Sequence, residues 1–310
     1  MDKVAFLFPG QGAQSVGMGK DLYDAYPRVR DLYDRAAEAL EFDLAALCFS
    51  GPEEKLAGTQ YSQPAILVTS LAVLEVVRNE TSLNTVKPVA TAGLSLGEYT
   101  ALAYAGALRF EDAVKLVWRR GNAMHEAGLK RKGGMLSVVG LDEAKIAEVV
   151  AKAKSAGYVT AANFNSPEQV VLSGEPAGLD EADRVAKETG ARLTVKLNVS
   201  GAFHSELMAP AAEELQRALA EVEISKPNTP VVSNVTGEYF AHPEQIREML
   251  VRQLTHPVQW SKSMQRMIAD GVNRFFELGP GRVLAGLLRR IDRGVPCDSV
   301  NSVEDIKRLG

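Results

Sequence analysis

The sequence predicts an α/β protein in which a mostly parallel sheet forms a large domain and a smaller domain is inserted into it. Short apolar strands alternate with helical patterns on both sides of the insert, which is typical of a parallel sheet. Between them, residues 128–197 follow the order βαββαβ, which is the ferredoxin-like pattern. We therefore expect a large domain formed by residues 1–127 and 198–310, and an inserted ferredoxin-like domain formed by residues 128–197.

The first part of the large domain opens on an apolar strand, Val4–Phe8, which runs into a glycine-rich turn around Gln11. A second buried strand, Val89–Ala92, leads into an Ala-rich helix. The turn around Gln11 lacks the G-x-G-x-x-G spacing and the lysine of a phosphate-binding loop, which argues against a dinucleotide site. Helical patterns occupy residues 28–40, 64–79 and 111–126, and Pro64 is expected in the first turn of its helix.

The insert begins with a loop, Gly128–Gly134, and ends on a strand. Its strands are expected at Met135–Val139, Tyr158–Phe164, Gln169–Ser173 and Arg192–Lys196, and its helices at 142–155 and 177–189. The α/β pattern then resumes with a helix from Glu206, strands at Pro230–Ser233 and Arg274–Glu277, helices at 243–254 and 260–270, and a last helical turn after Gly281.

The composition excludes several classes of function. A formal net charge of −4 gives no basic face for sequence-independent nucleic-acid binding, although Lys130–Lys132 form one local basic run. Cys48 and Cys297 have no metal-ligand spacing and cannot form a disulfide framework. No apolar run reaches the roughly 18 residues that a membrane span needs. We therefore expect a cytoplasmic protein with no metal site and no membrane or nucleic-acid partner.

The segment Gly93–Gly97 reads G-L-S-L-G and places Ser95 between a buried strand and a helix. A serine on such a sharp turn projects its hydroxyl away from the sheet, and the crowding of the turn requires glycine on both sides. The following helix directs its N-terminus at the site, which favours developing negative charge. A helix start capped by Ser95 is the alternative for a bare five-residue match. The strand-to-helix context favours a nucleophile.

A serine nucleophile needs a general base, and the chain has only four histidines. His204 lies in a loop of small residues that leads into a helix, which can place a side chain in a cleft. His125 ends a helix, and His242 and His256 each precede a proline in a turn. The pattern favours His204, with a structural histidine as the alternative. No triad carboxylate stands out, so a backbone carbonyl or an amide is expected to orient the imidazole.

Arg120 lies in the middle of the apolar stripe of the helix at 111–126, whereas Arg119 points to the far side. A guanidinium on an inward face is costly unless it is paired. The partner can be a protein carboxylate, which would make the pair structural, or a carboxylate of the substrate. The spacing alone gives about equal weight to a structural ion pair and to a substrate-binding arginine.

Taken together, the motifs resemble those of the malonyl-CoA:acyl carrier protein transacylase family, which loads malonyl units in type II fatty acid synthesis. The resemblance covers essentially the whole chain and is specific because the motifs occur in one order and at matching distances. They are Phe8–Gly12, Gly93–Tyr99, Arg119–Gly121 with Met124, Asn163–Pro167, Gly201–Ser205 and Pro257–Trp260.

The resemblance implies a fold, a reaction and a set of site residues. The fold is an α/β-hydrolase-like large domain with an inserted ferredoxin-like domain. Malonyl-CoA is the donor, an acidic acyl carrier protein with a phosphopantetheine thiol is the acceptor, and no cofactor is needed besides the CoA thioester. Ser95 would carry the acyl group, His204 would act as base, the N–H groups of Gln11 and Leu96 would form the oxyanion hole, the main-chain carbonyl of Gln253 would orient His204, and Arg120 would bind the malonyl carboxylate.

One position departs from the pattern, because Leu94 stands where many relatives have histidine. This position is neither nucleophile nor base, so only fine tuning of the substrate is affected. Three alternatives remain: an acyltransferase of a polyketide pathway, a serine esterase that shares the elbow, and a non-catalytic protein that retains the fold. The insert and Arg120 favour a transferase over an esterase, and the presence of both Ser95 and His204 argues against a non-catalytic protein.

Overall fold

The computed structural model describes residues 2–309, so that Met1 and Gly310, the outermost residues of the expected large domain, lie outside it. A four-stranded sheet forms the centre of the larger part, and all of its neighbouring strands are parallel. Every residue of its first two strands in the chain is buried, as expected for a sheet covered on both faces. In order across the sheet the strands are β2 (Ala90–Gly93), β1 (Val4–Phe8), β7 (Arg274–Leu278) and β8 (Cys297–Val300).

Helices pack around this sheet. Before the second sheet they are α1 (Lys20–Ala25), α2 (Pro27–Leu40), α3 (Leu44–Ser50), α4 (Glu53–Ala57), α5 (Thr59–Glu80), α6 (Gly97–Tyr104) and α7 (Phe110–Lys130). The central helix α5 is buried along most of its length, and α7 packs directly against it. After the second sheet they are α10 (Ala209–Ala220), α11 (Pro243–Arg252), α12 (Trp260–Ala269), α13 (Val283–Ile291) and α14 (Val303–Lys307), with short 3-10 turns at 82–85 and 206–208.

The second sheet is antiparallel and has the predicted order of elements. Its strands are β3 (Gly134–Val139), β4 (Val159–Ser166), β5 (Gln169–Gly174) and β6 (Leu193–Leu197), and its helices are α8 (Glu143–Ala153) and α9 (Pro176–Glu188). Across the sheet the order is β4-β5-β3-β6. Leu136 and Val138 pack with apolar residues of α8 and α9 in a core of their own. The α/β class, with one parallel sheet and a second antiparallel sheet, is therefore confirmed.

Three expectations about single elements were wrong, and some elements were not predicted. Helix α5 begins at Thr59, so Pro64 lies inside it and not in its first turn, where it removes one backbone hydrogen bond. Helix α7 continues to Lys130 and includes Gly128, where the loop expected at 128–134 was to begin. A glycine is needed at 128 for packing, since a Cβ there would lie 2.3 Å from the carbonyl oxygen of Ser200. Residues 230–233 form only isolated bridges. The short helices α1, α3, α4 and α14 and the strand β8 were not predicted.

The two sheets meet beside the carboxyl ends of β1 and β2. Val258, which precedes α12, exchanges backbone hydrogen bonds with Ala162 and Phe164 of β4. The chain that leaves β6 returns to the larger part through the loop at 198–205, which carries His204. This junction therefore brings the elbow, the histidine loop and helix α7 together. Among residues 2–309, no helix is long and apolar enough to cross a membrane.

Candidate active site

Ser95 sits on a strained turn between β2 and α6. Its φ is +50°, a conformation that residues other than glycine rarely adopt. The turn is crowded on both sides, since a Cβ on Gly93 would lie 1.9 Å from the carbonyl carbon of Gly97, and one on Gly97 would lie 2.1 Å from the carbonyl oxygen of Phe8. The two glycines are therefore required, and the hydroxyl of Ser95 projects from the carboxyl edge of the sheet.

His204 lies within hydrogen-bond distance of Ser95. The distance from Nε2 to the Ser95 Oγ is 2.9 Å, and Nδ1 lies 2.7 Å from the main-chain oxygen of Gln253. A carbonyl can only accept, so Nδ1 carries the proton and Nε2 presents a lone pair to the serine hydroxyl. Like Ser95, His204 has a positive φ, +56°. The structure thus brings together Ser95, His204 and Gln253, three of the residues that the sequence analysis named as site residues.

Burial keeps this histidine neutral. Burial and, to a smaller extent, the positive charge of Arg120 lower the pKa of His204 from 6.5 to about 4, while the hydrogen bond to Gln253 acts in the opposite direction. The imidazole is therefore uncharged at neutral pH, which is the form that a general base requires.

Arg120 is 1% exposed and lies on the face of α7 that packs against α5. Its Nη1 donates to Gln63 Oε1 at 2.6 Å, and its Nη2 donates to Gln253 Oε1 at 2.9 Å and to Ser95 Oγ at 3.1 Å. All of these acceptors are neutral, so the buried cation has no contacting carboxylate among residues 2–309. Burial lowers its pKa, although a guanidinium remains charged. The reading of Arg120 as half of a direct protein ion pair is therefore not supported.

Arg119 lies on the outward side of α7, as the helical spacing predicts. Its guanidinium is 31% exposed and pairs with Glu221 at 2.7 Å and with Glu214 at 3.4 Å. Neighbouring arginines on one helix thus have different environments, one paired at the surface and one held by amides beside Ser95.

Gln11 and Leu96 border the elbow. The loop after β1 packs on the turn so closely that a Cβ on Gly10 would lie 2.3 Å from the carbonyl oxygen of Leu94. Within the described part of the chain, the backbone N–H groups of Gln11 and Leu96 donate to no protein acceptor. Two unpaired donors beside a serine are suited to an oxyanion. The side chain of Gln11 donates to Thr59 Oγ1 at 3.2 Å, which ties this loop to the start of α5.

Three polar residues of the site were missed at the level of sequence: Gln63, Glu98 and Asn234. All three are fully buried. Asn234 Oδ1 accepts from the N–H of Ser95 at 2.6 Å, and its Nδ2 donates to the carbonyl of Gly93 at 2.7 Å. Polar residues within apolar segments were the available signal, since Glu98 lies in the Ala-rich helix after the elbow and Gln63 in the apolar α5.

The other histidines lie away from this cluster. His242 caps α11 and is exposed, His256 contacts Thr255 and Arg252, and His125 is on the last turns of α7. Over residues 2–309 no group of three or more His, Cys, Asp or Glu is placed to hold a metal ion. A cavity of about 580 Å³ lies at the opposite edge of the sheet, beside Lys3 and Val89, and no residue of the site lines it.

This arrangement can carry out attack by a serine on an acyl carbonyl. It provides a hydroxyl on a strained backbone turn, a neutral imidazole in the required tautomer, two N–H donors and a cation beside the attacking oxygen. The cation distinguishes it from a site for neutral acyl groups, because a buried guanidinium is suited to bind a carboxylate.

Comparison with known proteins places the chain among acyltransferases. It matches the acyl transferase domain family over residues 5–307. It is 44% identical over 308 residues to a malonyl CoA-acyl carrier protein transacylase from Bacillus subtilis, covering 99% of this chain and 96% of that protein.

Two solved structures match both sheets of the fold. An acyl carrier protein S-malonyltransferase from Vibrio cholerae has a TM-score of 0.94 and 40% identity, covering 99% of this chain and 100% of the other. A malonyl-transacylase in complex with a type II polyketide synthase (PKS) acyl-carrier protein has a TM-score of 0.94 and 38% identity, covering 99% and 98%.

Proposed function

The chain belongs to the family of malonyl-CoA–acyl carrier protein transacylases, and we propose that it transfers malonyl from malonyl-CoA to the phosphopantetheine thiol of an acyl carrier protein. The observation that carries the proposal is the position of Arg120, a buried cation that no carboxylate of residues 2–309 contacts and that lies 3.1 Å from the Ser95 Oγ. An acyl group attached to that oxygen would hold its own free carboxylate near the guanidinium. Malonyl has such a carboxylate, and acetyl does not.

In the first half-reaction, Ser95 Oγ attacks the thioester carbonyl carbon while its proton passes to His204 Nε2. The carbonyl oxygen becomes an oxyanion, for which we propose the N–H groups of Gln11 and Leu96 as donors. The carbon–sulfur bond then breaks, and the CoA thiolate takes the proton from His204. The products are malonyl-Ser95 and CoA.

In the second half-reaction, the thiol of the carrier takes the place of CoA. His204 Nε2 accepts its proton, the sulfur attacks the ester carbonyl, and the bond between Oγ and carbon breaks. His204 returns the proton to Ser95. Throughout, the main-chain oxygen of Gln253 keeps the proton of Nδ1 in place and stabilises the imidazolium that forms in each half. No step requires a cofactor besides the CoA thioester, and we propose that none is used.

The type of carrier has two candidates. The names of the curated relatives favour a general acyl carrier protein, with transfer in fatty acid synthesis. The solved complex of a similar malonyl-transacylase with a type II PKS carrier favours a polyketide pathway. Transfer to either carrier uses the same chemistry at Ser95, so the two candidates differ only in the surface of the carrier protein that docks on this chain.

We also propose the finer features of the fold that the sequence suggested. The order β4-β5-β3-β6 supports a ferredoxin-like insert at 128–197, and the strand–elbow–helix around Ser95 supports an α/β-hydrolase-like domain formed by 1–127 and 198–310. A cytoplasmic location remains our proposal, supported by two cysteines that are both free thiols.

The test is mass spectrometry of the intact protein after mixing with malonyl-CoA. We expect an adduct of one malonyl group on Ser95, no adduct in Ser95→Ala, and parallel double-reciprocal plots for CoA donor and carrier. Because Ser95→Ala removes only the attacking oxygen, a persistent adduct in that variant, or intersecting plots, would contradict the mechanism.

A further inference from the structure

Glu98, the second residue of α6, is a buried carboxylate that has no part in the proton transfers above. It is fully buried beneath the elbow. Its Oε1 accepts from the backbone N–H of Asn234 at 2.8 Å, and its Oε2 accepts from Nε2 of Gln253. A buried charge of this kind is costly, and its two contacts are the compensation that the site provides.

Both donors hold groups of the reacting pair. Asn234 binds the N–H of Ser95 and the carbonyl of Gly93, and so fixes the elbow from below. Gln253 makes three contacts in the site. Its main-chain oxygen accepts from His204 Nδ1, its Nε2 donates to the Ser95 carbonyl at 3.0 Å, and its Oε1 accepts from Arg120. Glu98 is thus one contact away from the nucleophile, the base and the cation.

We propose that Glu98 is a positioning residue whose two carboxylate oxygens, each holding a different loop, fix Ser95, His204 and Arg120 relative to one another. This inference rests on the proposed function, since it assigns the geometry of that same site. It goes beyond it by naming a residue that touches neither substrate nor the reacting atoms.

The chemistry of the contact requires a carboxylate. Both oxygens of Glu98 face N–H donors, so within the described part of the chain neither oxygen has an acceptor to receive a carboxyl proton. Burial raises the pKa of Glu98 to about 8, even though the N–H of Asn234, the amide of Gln253 and the charge of Arg120 each lower it. The ionised form that both donors require therefore predominates above that pH, and the variants of this contact are compared at about pH 9. When Glu98 is ionised, the amide of Gln253 bridges a buried anion and a buried cation, with its oxygen toward Arg120 and its nitrogen toward Glu98.

Replacement of Glu98 by glutamine keeps the shape and removes one acceptor. The single amide oxygen can serve Asn234 or Gln253, but not both, so one N–H must face the new NH₂ group. If Gln253 turns its amide to avoid this, its NH₂ faces Arg120 and its oxygen faces the Ser95 carbonyl. Either arrangement displaces a residue that holds Ser95 or His204.

The experiment compares Glu98→Gln with Glu277→Gln. Glu277 is the matched control because it is a second fully buried glutamate with both oxygens occupied by donors, the backbone N–H groups of Leu284 and Ala285. Its hydrogen bonds within residues 2–309 include none to the residues of the site. We expect Glu98→Gln to lower kcat for acylation by malonyl-CoA about 10- to 100-fold, with a smaller change in KM. We also expect the NMR signal of the His204 Nδ1 proton to shift, whereas Glu277→Gln changes neither.

A second variant keeps the test valid if Glu98→Gln unfolds. Glu98→Asp keeps both carboxylate oxygens and shortens the side chain by one methylene, so it should retain more of the melting temperature and of kcat than Glu98→Gln. Wild-type kcat and an unshifted His204 signal in Glu98→Gln, equal loss in Glu277→Gln, or no advantage of Glu98→Asp over Glu98→Gln would each overturn the proposal. If the wild-type protein forms no malonyl adduct, the proposed function fails, while the His204 signal and the melting temperatures still decide the role of Glu98.

Discussion

Replacement of Arg120 by alanine tests how the site selects its acyl group. The change removes the one cation of residues 2–309 that contacts Ser95, and it leaves Oε1 of Gln63 and of Gln253 without their shared donor. That second effect is common to every substrate. The effect specific to malonyl is the loss of a pair between its carboxylate and a guanidinium that is 1% exposed.

The size of the specific effect follows from burial. Truncation of one partner of a buried, hydrogen-bonded charge pair costs about 2–5 kcal/mol. At about 1.4 kcal/mol for each factor of ten, kcat/KM for malonyl-CoA should fall about 30- to 4,000-fold relative to that for acetyl-CoA. Lysine at this position should restore only part of the ratio, because an ammonium group cannot form the planar two-point contact.

The assay is acylation by malonyl-CoA and by acetyl-CoA, with the ratio of the two kcat/KM values as the result. Arg119→Ala is the matched control, since Arg119 is the adjacent arginine of the same helix and pairs only with surface carboxylates. Such surface pairs contribute roughly 0–1 kcal/mol, so its ratio should stay at the wild-type value. Equal proportional losses for both donors in Arg120→Ala would show that Arg120 supports the fold and does not select malonyl.

Three further predictions concern the base, its titration and the carrier. His204→Ala should lower the acylation rate about 10²- to 10⁴-fold or more, and alanine at His125, His242 or His256 should have little effect; an essential role for one of those three would refute the assignment. Because the pKa of His204 is lowered from 6.5 to about 4, titration of the base should cause no fall in kcat/KM between pH 8 and 5, and a half-maximal point near 6.5 would contradict this. The same shift should stabilise the fold above pH 6.5, with the contribution lost as the pH falls from 6.5 through 4 in thermal unfolding. Transfer to the acidic carrier should slow as salt rises, whereas transfer to free pantetheine, the control, should not; a carrier rate indifferent to ionic strength would refute electrostatic docking.

The parts of the site that the sequence predicts are those encoded by local spacing. Ser95 was found because a strained turn needs flanking glycines, and the inward face of Arg120 was found because a helix has a fixed period. Both signals lie within a few residues of the chain. The pairing of Ser95 with His204 was less certain from pattern, because the two are separated by the entire second sheet.

The remaining contacts depend on distant parts of the chain and have weak local signals. Gln63 lies on an α5 that is buried nearly throughout, where one polar residue has no distinctive period. Asn234 follows a segment that resembled a strand but forms single bridges, with a positive φ at Gly237 turning the chain back. The side chain of Gln253 could not be placed from sequence, although the resemblance named its main-chain carbonyl, because its contacts come from α6, α7 and the elbow.

The amides around Arg120 explain how a buried cation stays available to a substrate. A carboxylate in direct contact would compete with malonyl for the same donors, whereas the oxygens of Gln63 and Gln253 stabilise the guanidinium without neutralising it. Glu98, which supplies a compensating charge when it is ionised, is one amide further away. The carboxylate of malonyl would then be the first full negative charge to contact Arg120. Because the same Nη2 also contacts Ser95 Oγ, binding of the carboxylate and placement of the nucleophile involve a single group.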